Sequence, residues 1–147
     1  MQDDRLKTSL SNAVVRLFRL VNRVHNRNFK ELGVSAEQAH VLSVLGVEGA
    51  MTIGRLQRLL ALSSATLTGA IDRLEAQELV KRVPSPDDGR AFVIEPRVPP
   101  KKRAQIDAVI EDGEHSCFAA LTAAERKELL RLMDKCIAGL EPIALAK

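Results

Sequence analysis

The sequence predicts a mainly α-helical protein with one small β-hairpin, and three observations carry that prediction. Apolar residues recur at three- and four-residue spacing through most of the chain, from Leu6 to Leu140. Helix-start signals precede these runs: Ser35-Ala36-Glu37-Gln38 and Thr122-Ala123-Ala124-Glu125 are capping boxes, while Thr52 and Ser63 are single N-caps. One stretch, VKRVPSPDDGRAFVIEP, reads instead as strand, turn and strand. Ser85-Pro86-Asp87-Asp88-Gly89 supplies the turn chemistry, and Val80, Val83, Phe92, Val93 and Ile94 supply the strand residues.

The first element is an amphipathic helix over residues 5–32. Leu6, Leu10, Ala13/Val14, Leu17, Leu20/Val21 and Val24 form its apolar stripe, and Arg16, Arg19, Arg23 and Arg27 form a basic one. Roughly 25 helical residues span about 40 Å, more than the width of a small three-helix module. Gly33 is placed to end this helix as its C′ residue. The helix opened by Ser35 turns Ala39, Val41/Leu42 and Leu45 inward and stops between Gly46 and Gly49. Thr52 then caps a short helix with Ile53, Leu56 and Leu59/Leu60 inward, and a break at Ala61-Leu62 leads to the next. Two short helices joined by a few residues make a helix-turn-helix.

In the second of these, capped by Ser63, the residues Leu67, Ala70, Ile71 and Leu74 share one face at i, i+3, i+4 and i+7. The opposite face carries Ser64, Ala65, Thr68, Gly69 and Asp72, with Thr66 and Arg73 on its flanks. A slim face of this kind suits the major groove, where leading side chains must be short enough to reach base edges. Followed by a hairpin with Arg90 beside its tip, it gives the layout of a winged helix-turn-helix. Beyond the hairpin, Pro99 and Pro100 open a helix with Ile106, Val109/Ile110, Gly113, Cys117 and Leu121 as its seam. The last helix aligns Leu129/Leu130, Met133, Cys136/Ile137, Leu140 and Ile143. The terminal helices carry more apolar surface than one small domain uses, so a two-fold homodimer is expected. The expected domains are a helical dimerisation region at 1–34 and 99–147, and a winged helix-turn-helix at 35–98.

The chain has 147 residues, a net charge of +3 and 46% hydrophobic residues, which suits one compact subunit. Its charge is uneven. Residues 55–103 hold ten basic against six acidic side chains, whereas 104–147 hold five against eight. A basic middle fits a surface offered to phosphates. Two cysteines make no disulfide framework, and both fall on apolar seams where small buried hydrophobes are the rule. With neither a signal-peptide pattern nor an apolar run of membrane-spanning length, a cytoplasmic protein without membrane contact is expected. His25, His40 and His115 are too scattered for a metal signature, and no cofactor is implied. No nucleophile triad, glycine-rich phosphate loop or isolated carboxylate pair points to an enzyme.

Candidate contacts to double-stranded DNA follow from position. Arg90 stands at the hairpin tip after Asp88. Ser63, Ser64, Thr66 and Thr68 combine capping with groups that reach bases or phosphates. Lys81 and Arg82 flank the first hairpin strand, where one of them meets backbone phosphate. Arg73 is expected to bridge an acidic neighbour such as Glu75 or a hairpin carboxylate, and phosphate contact is its second role. The rival reading is a helical protein–protein interaction module, using the arginine stripe and terminal seams and touching DNA only weakly.

The run Leu62-Ser63-Ser64-Ala65-Thr66-Leu67-Thr68, with Asp72-Arg73-Leu74-Glu75 and Leu79-Val80-Lys81-Arg82 after it, resembles the MarR family of bacterial transcription regulators. Pro86-Asp87-Asp88-Gly89-Arg90-Ala91 is similar to that family's Asp-x-Arg wing signature, and Leu121 to Arg126 resembles the start of its last helix. The resemblance implies a homodimeric regulator, commonly a repressor on a palindromic operator. Its recognition helix would read the major groove, Arg90 would enter the minor groove, and Asp88 would orient Arg90. It also implies a small aromatic or anionic effector, for which Phe29 and His40 are the candidate pocket residues. The chain departs from the family pattern at Gly69, where a longer residue is common, and at Glu78, which replaces a glycine. It departs again at Glu95-Pro96 and Val98-Pro99-Pro100, where the passage to the next helix differs.

Overall fold

The computed structural model describes residues 9–144; Leu6 and the other expected helical positions before residue 9 lie outside them. Helix α1 (Leu10–Phe29) starts at Ser9, whose hydroxyl accepts from Asn12 N at 3.4 Å. A single 3-10 turn (Lys30–Leu32) and Gly33, at φ 68°, end it. Helix α2 (Ala36–Glu48) opens on the capping box, with Ser35 and Gln38 each satisfying the other's backbone N–H. Asn26 Oδ1 also accepts from Ala36 N at 2.9 Å, which docks the start of α2 on α1.

Gly49, at φ 80°, turns the chain into strand β1 (Met51–Thr52). Thr52 then caps α3 (Ile53–Leu60). Ala61, at φ 49°, makes the sharp turn to α4 (Ser64–Ala76). Strands β2 (Val80–Pro84) and β3 (Phe92–Pro96) form the hairpin, and β1 joins its far side to give an antiparallel sheet of order β1-β3-β2. Met51 pairs with Ile94, and Ile94 pairs in turn with Arg82. The third strand was not foreseen, because two residues are too short to show alternation. Helices α5 (Pro100–Cys117) and α6 (Ala123–Ala144) complete the chain.

The chain forms two compact units, divided after Gly113. The first has one core. Phe29 of α1, Leu42 and Leu45 of α2, Leu56 of α3, Leu67, Ile71 and Leu74 of α4, Ile94 of β3 and Ile106 of α5 are all buried in it. The α4 face predicted from spacing is therefore the buried one, all four residues included. Leu59 differs from expectation. It is exposed, because the inward face of an eight-residue helix is narrow and runs through Ile53, Leu56 and Leu60. Arg103 of α5 lies across α2, donating to Leu42 O at 2.9 Å while Asp107 braces it at the same distance.

In the second unit α6 buries none of its residues. Phe118, Leu121, Leu129, Leu130 and Met133 line an open apolar groove of about 300 Å³. In the single chain Cys117 is half-buried and Cys136 is exposed. On α1, Leu10, Val14, Leu17 and Phe18 are likewise exposed.

Candidate nucleic-acid interface

Helix α4 offers its polar face outward because its apolar face is anchored. Ser63 Oγ accepts from Thr66 N at 3.2 Å and shares a 2.8 Å hydrogen bond with the Thr66 hydroxyl, so these two groups first serve the cap. Ser64 Oγ donates to Gln57 of α3 at 3.1 Å, a tie between the two helices that the sequence did not signal. Thr68 is exposed, and its hydroxyl has no partner among the described residues. Among the described residues Arg73 bridges no acid. Its guanidinium folds back beside Gly69, 3.6 Å from where a Cβ would stand. A Cβ at Gly69 would make only an ordinary van der Waals contact with it, so Arg73 lies along the exposed face without a clash there to avoid.

The acid-bridging role belongs to Arg82. Its Nη2 meets Asp72 Oδ1 at 2.6 Å, its Nη1 meets Glu75 Oε2, and its backbone N donates to Glu75 Oε1 at 3.0 Å. The backbone hydrogen bond from Arg82 is the largest influence holding the Glu75 carboxyl below its ordinary value. Partial desolvation opposes it, and the guanidinium adds to it. Lys81, next along β2, is exposed. At the C-terminal end of α4, Gln77 Nε2 donates to Gly33 O at 3.1 Å, and Glu78 adopts φ 58°, a left-handed position that favours glycine. Asp72, Glu75, Gln57 and Gln77 were missed as positioning groups. The readable signal was two carboxylates one turn apart, followed by a basic strand.

The hairpin tip is a built turn. Asp87 N donates to Ser85 Oγ at 3.3 Å, Ala91 N to Asp88 O at 3.0 Å, and Ser85 N to Ala91 O at 2.8 Å. Asp88 Oδ1 accepts from the backbone N of Arg90 at 3.0 Å. Asp88 therefore sets the backbone of the tip rather than gripping the Arg90 guanidinium, which is exposed.

Of the two candidate pocket residues, Phe29 does not line the cleft that holds His40. Phe29 is buried in the core with the His25 ring edge-on, centroids 6.3 Å apart. His40 lines an open cleft of about 290 Å³ with Ser43, Val44, Val47, Glu48 and Leu59. Lost hydration holds the His40 imidazole below its ordinary value, and repulsion from His25 adds to this. Among the described residues, no group of three or more His, Cys, Asp or Glu side chains is placed to hold a metal ion, and no helix is long and apolar enough to cross a membrane.

The MarR family model matches residues 34–92, from the start of α2 to the first residue of β3. The HTH-type transcriptional regulator MgrA of Staphylococcus aureus is 30% identical over 135 residues, covering 90% of each chain. The chain belongs to the MarR family. Its fold matches that of a mutant MarR from E. coli complexed with operator DNA, with a TM-score of 0.75 at 23% identity over 87% of this chain and 93% of that one. It also matches BpsR of Bordetella bronchiseptica, whose DNA binding is regulated by 6-hydroxynicotinic acid. There the TM-score is 0.78 at 24% identity, over 88% and 93% of the two chains. The MarR-family region takes in the helix-turn-helix, the hairpin turn and Arg90. The hairpin is the wing of this fold.

Proposed function

We propose that this MarR-family chain is a sequence-specific regulator of transcription that binds double-stranded DNA as a homodimer. In this reading it represses from a palindromic operator. The observation that carries the reading is the pairing of a short-chained, outward α4 face with a wing whose tip is organised around Arg90. Ser64, Thr68 and Arg73 meet bases or phosphates, Ser63 and Thr66 hold the helix start that presents them, Lys81 meets backbone phosphate, and Arg90 enters the minor groove.

The dimer covers what one chain leaves bare. Regions 1–34 and 99–147 associate across a two-fold axis, through α1 (Leu10, Val14, Leu17, Phe18) and α6 (Leu130, Met133, Ile137, Leu140), all of them exposed. A two-fold axis sets the recognition helices about one DNA turn apart, which a palindrome matches. The regulator answers a small aromatic or anionic effector. The fold shared with BpsR supports this, and the cleft beside His40 is the candidate place.

The test is a titration on a duplex selected from a random library by the wild-type protein. Arg90→Ala is expected to weaken binding by about 1–3 kcal/mol, roughly 5- to 150-fold. Affinity should also fall steeply with salt as counterions are released. Unchanged affinity would remove the wing from the mechanism. A monomer in sedimentation that shifts no duplex would favour the helical interaction module instead.

A further inference from the structure

Arg82 has the sequence position of a phosphate contact but the bonding of a clamp. It sits in the middle of β2, opposite Ile94 of β3, so its backbone belongs to the wing. Three of its donors are committed to α4: two guanidinium nitrogens, to Asp72 and Glu75, and its backbone N–H, also to Glu75. The two carboxylates are three residues apart and so lie on one side of the helix. The guanidinium spans them as a fork, a geometry that fixes direction as well as distance. Its side chain is only 25% exposed, against 60% for Asp72 and 37% for Glu75. A phosphate approaching it would meet the two carboxylates already paired with it, whose charge repels an anion. Lys81, one residue earlier and exposed, meets no such obstacle. No other side-chain ion pair recorded among the described residues joins α4 to the wing.

We propose that Arg82 is a positioning residue for DNA recognition: it locks the wing to the recognition helix, so that α4 and Arg90 meet the duplex as one rigid body. This rests on the DNA-binding reading above. Without the clamp the hairpin would still form, since the β2–β3 ladder and the Asp88 turn are independent of it. The shared apolar core would still hold the base of the hairpin against α4, but the polar tie beyond it would be gone, and Arg90 would find its groove less often.

The experiment is a double-mutant cycle on the selected duplex at fixed salt, using wild type, R90A, R82Q and R82Q/R90A. R82Q alone should weaken binding about tenfold. R90A should cost tenfold or more in the wild-type background but less than threefold in the R82Q background. Equal factors in both backgrounds would overturn the proposal, because a residue acting on stability alone does not change what Arg90 contributes. If R82Q does not fold, Glu75→Ala replaces it with the same expectation. Glu75→Ala also separates clamp from contact. Were Arg82 a phosphate ligand, freeing it would tighten binding, whereas the clamp requires weaker binding. Should R90A cost nothing in wild type, the wing leaves the mechanism and the clamp falls with it; should wild type shift no duplex at all, the DNA-binding reading itself fails. Additive losses sink the clamp alone.

Discussion

Gly46 lies inside α2, where glycine is a poor choice by helix propensity. Changing it to alanine would ordinarily stabilise the helix by about 1 kcal/mol. Here a Cβ would coincide with the Arg103 guanidinium, which lies across the helix at that point. The guanidinium is the far end of a flexible side chain, so it can be expelled without moving backbone. Expulsion removes the hydrogen bond to Leu42 O, made by a side chain only 25% exposed, and loosens the pair with Asp107. A hydrogen bond from a charged donor contributes about 1.5–3 kcal/mol. Subtracting the propensity gain leaves a net loss of about 0.5–2 kcal/mol for Gly46→Ala. In a chain of 147 residues, each 1 kcal/mol corresponds to about 2–4 °C in Tm. In an Arg103→Ala background nothing remains to be displaced, so the same substitution should raise stability by up to about 1 kcal/mol. The assay is urea or thermal unfolding of the four variants. The result that refutes the reasoning is the same sign of change in both backgrounds, since the cost would then not pass through Arg103.

Three further predictions concern strain and protonation. Ala61 and Glu78 hold left-handed backbone at φ 49° and 58°; glycine at either site should gain about 0.5–1 kcal/mol, the relieved penalty less the added unfolded-state entropy, and a lower urea midpoint would contradict this. His40 is held below its ordinary value of 6.5, so it adds a penalty that grows as pH falls below 6.5 and is absent above it. Measured against pH, the stability of His40→Gln should fall less than that of wild type in that window, and parallel curves would exclude the effect. Glu75 is held below its ordinary value of 4.5, so its contribution is present above that pH and is lost as pH falls through the depressed value. The gap in Tm between wild type and Glu75→Ala should therefore narrow below pH 4.5, and a constant gap would show that the carboxylate is not what the clamp uses.

Much of the fold was legible because its signals are local. The Ser35–Gln38 and Thr122–Glu125 boxes both close as spacing predicts. Ser63 and Thr52 cap, Gly33 ends the first helix in left-handed backbone, and Glu78 takes the conformation its family's glycine would favour. Each of these depends on atoms within a few residues, so the order of side chains is enough information. The site was legible only in part. The slim face of α4 and the tip position of Arg90 follow from period and turn chemistry. The partners of Arg73 and Arg82 do not, because both are arginines near Asp72 and Glu75 in sequence, and only the path of β2 decides which one reaches them.

What the order of residues determined by itself was the set of elements, the buried face of α4 and the turn that carries Arg90, since caps, periods and turns are short-range. What only the tertiary structure decided was which charges meet across elements. It paired Arg82 with α4, laid Arg103 over Gly46, buried Phe29 away from the His40 cleft and closed the sheet with Met51–Thr52. A long side chain reaches several candidate partners, and the choice among them is made by packing between segments tens of residues apart.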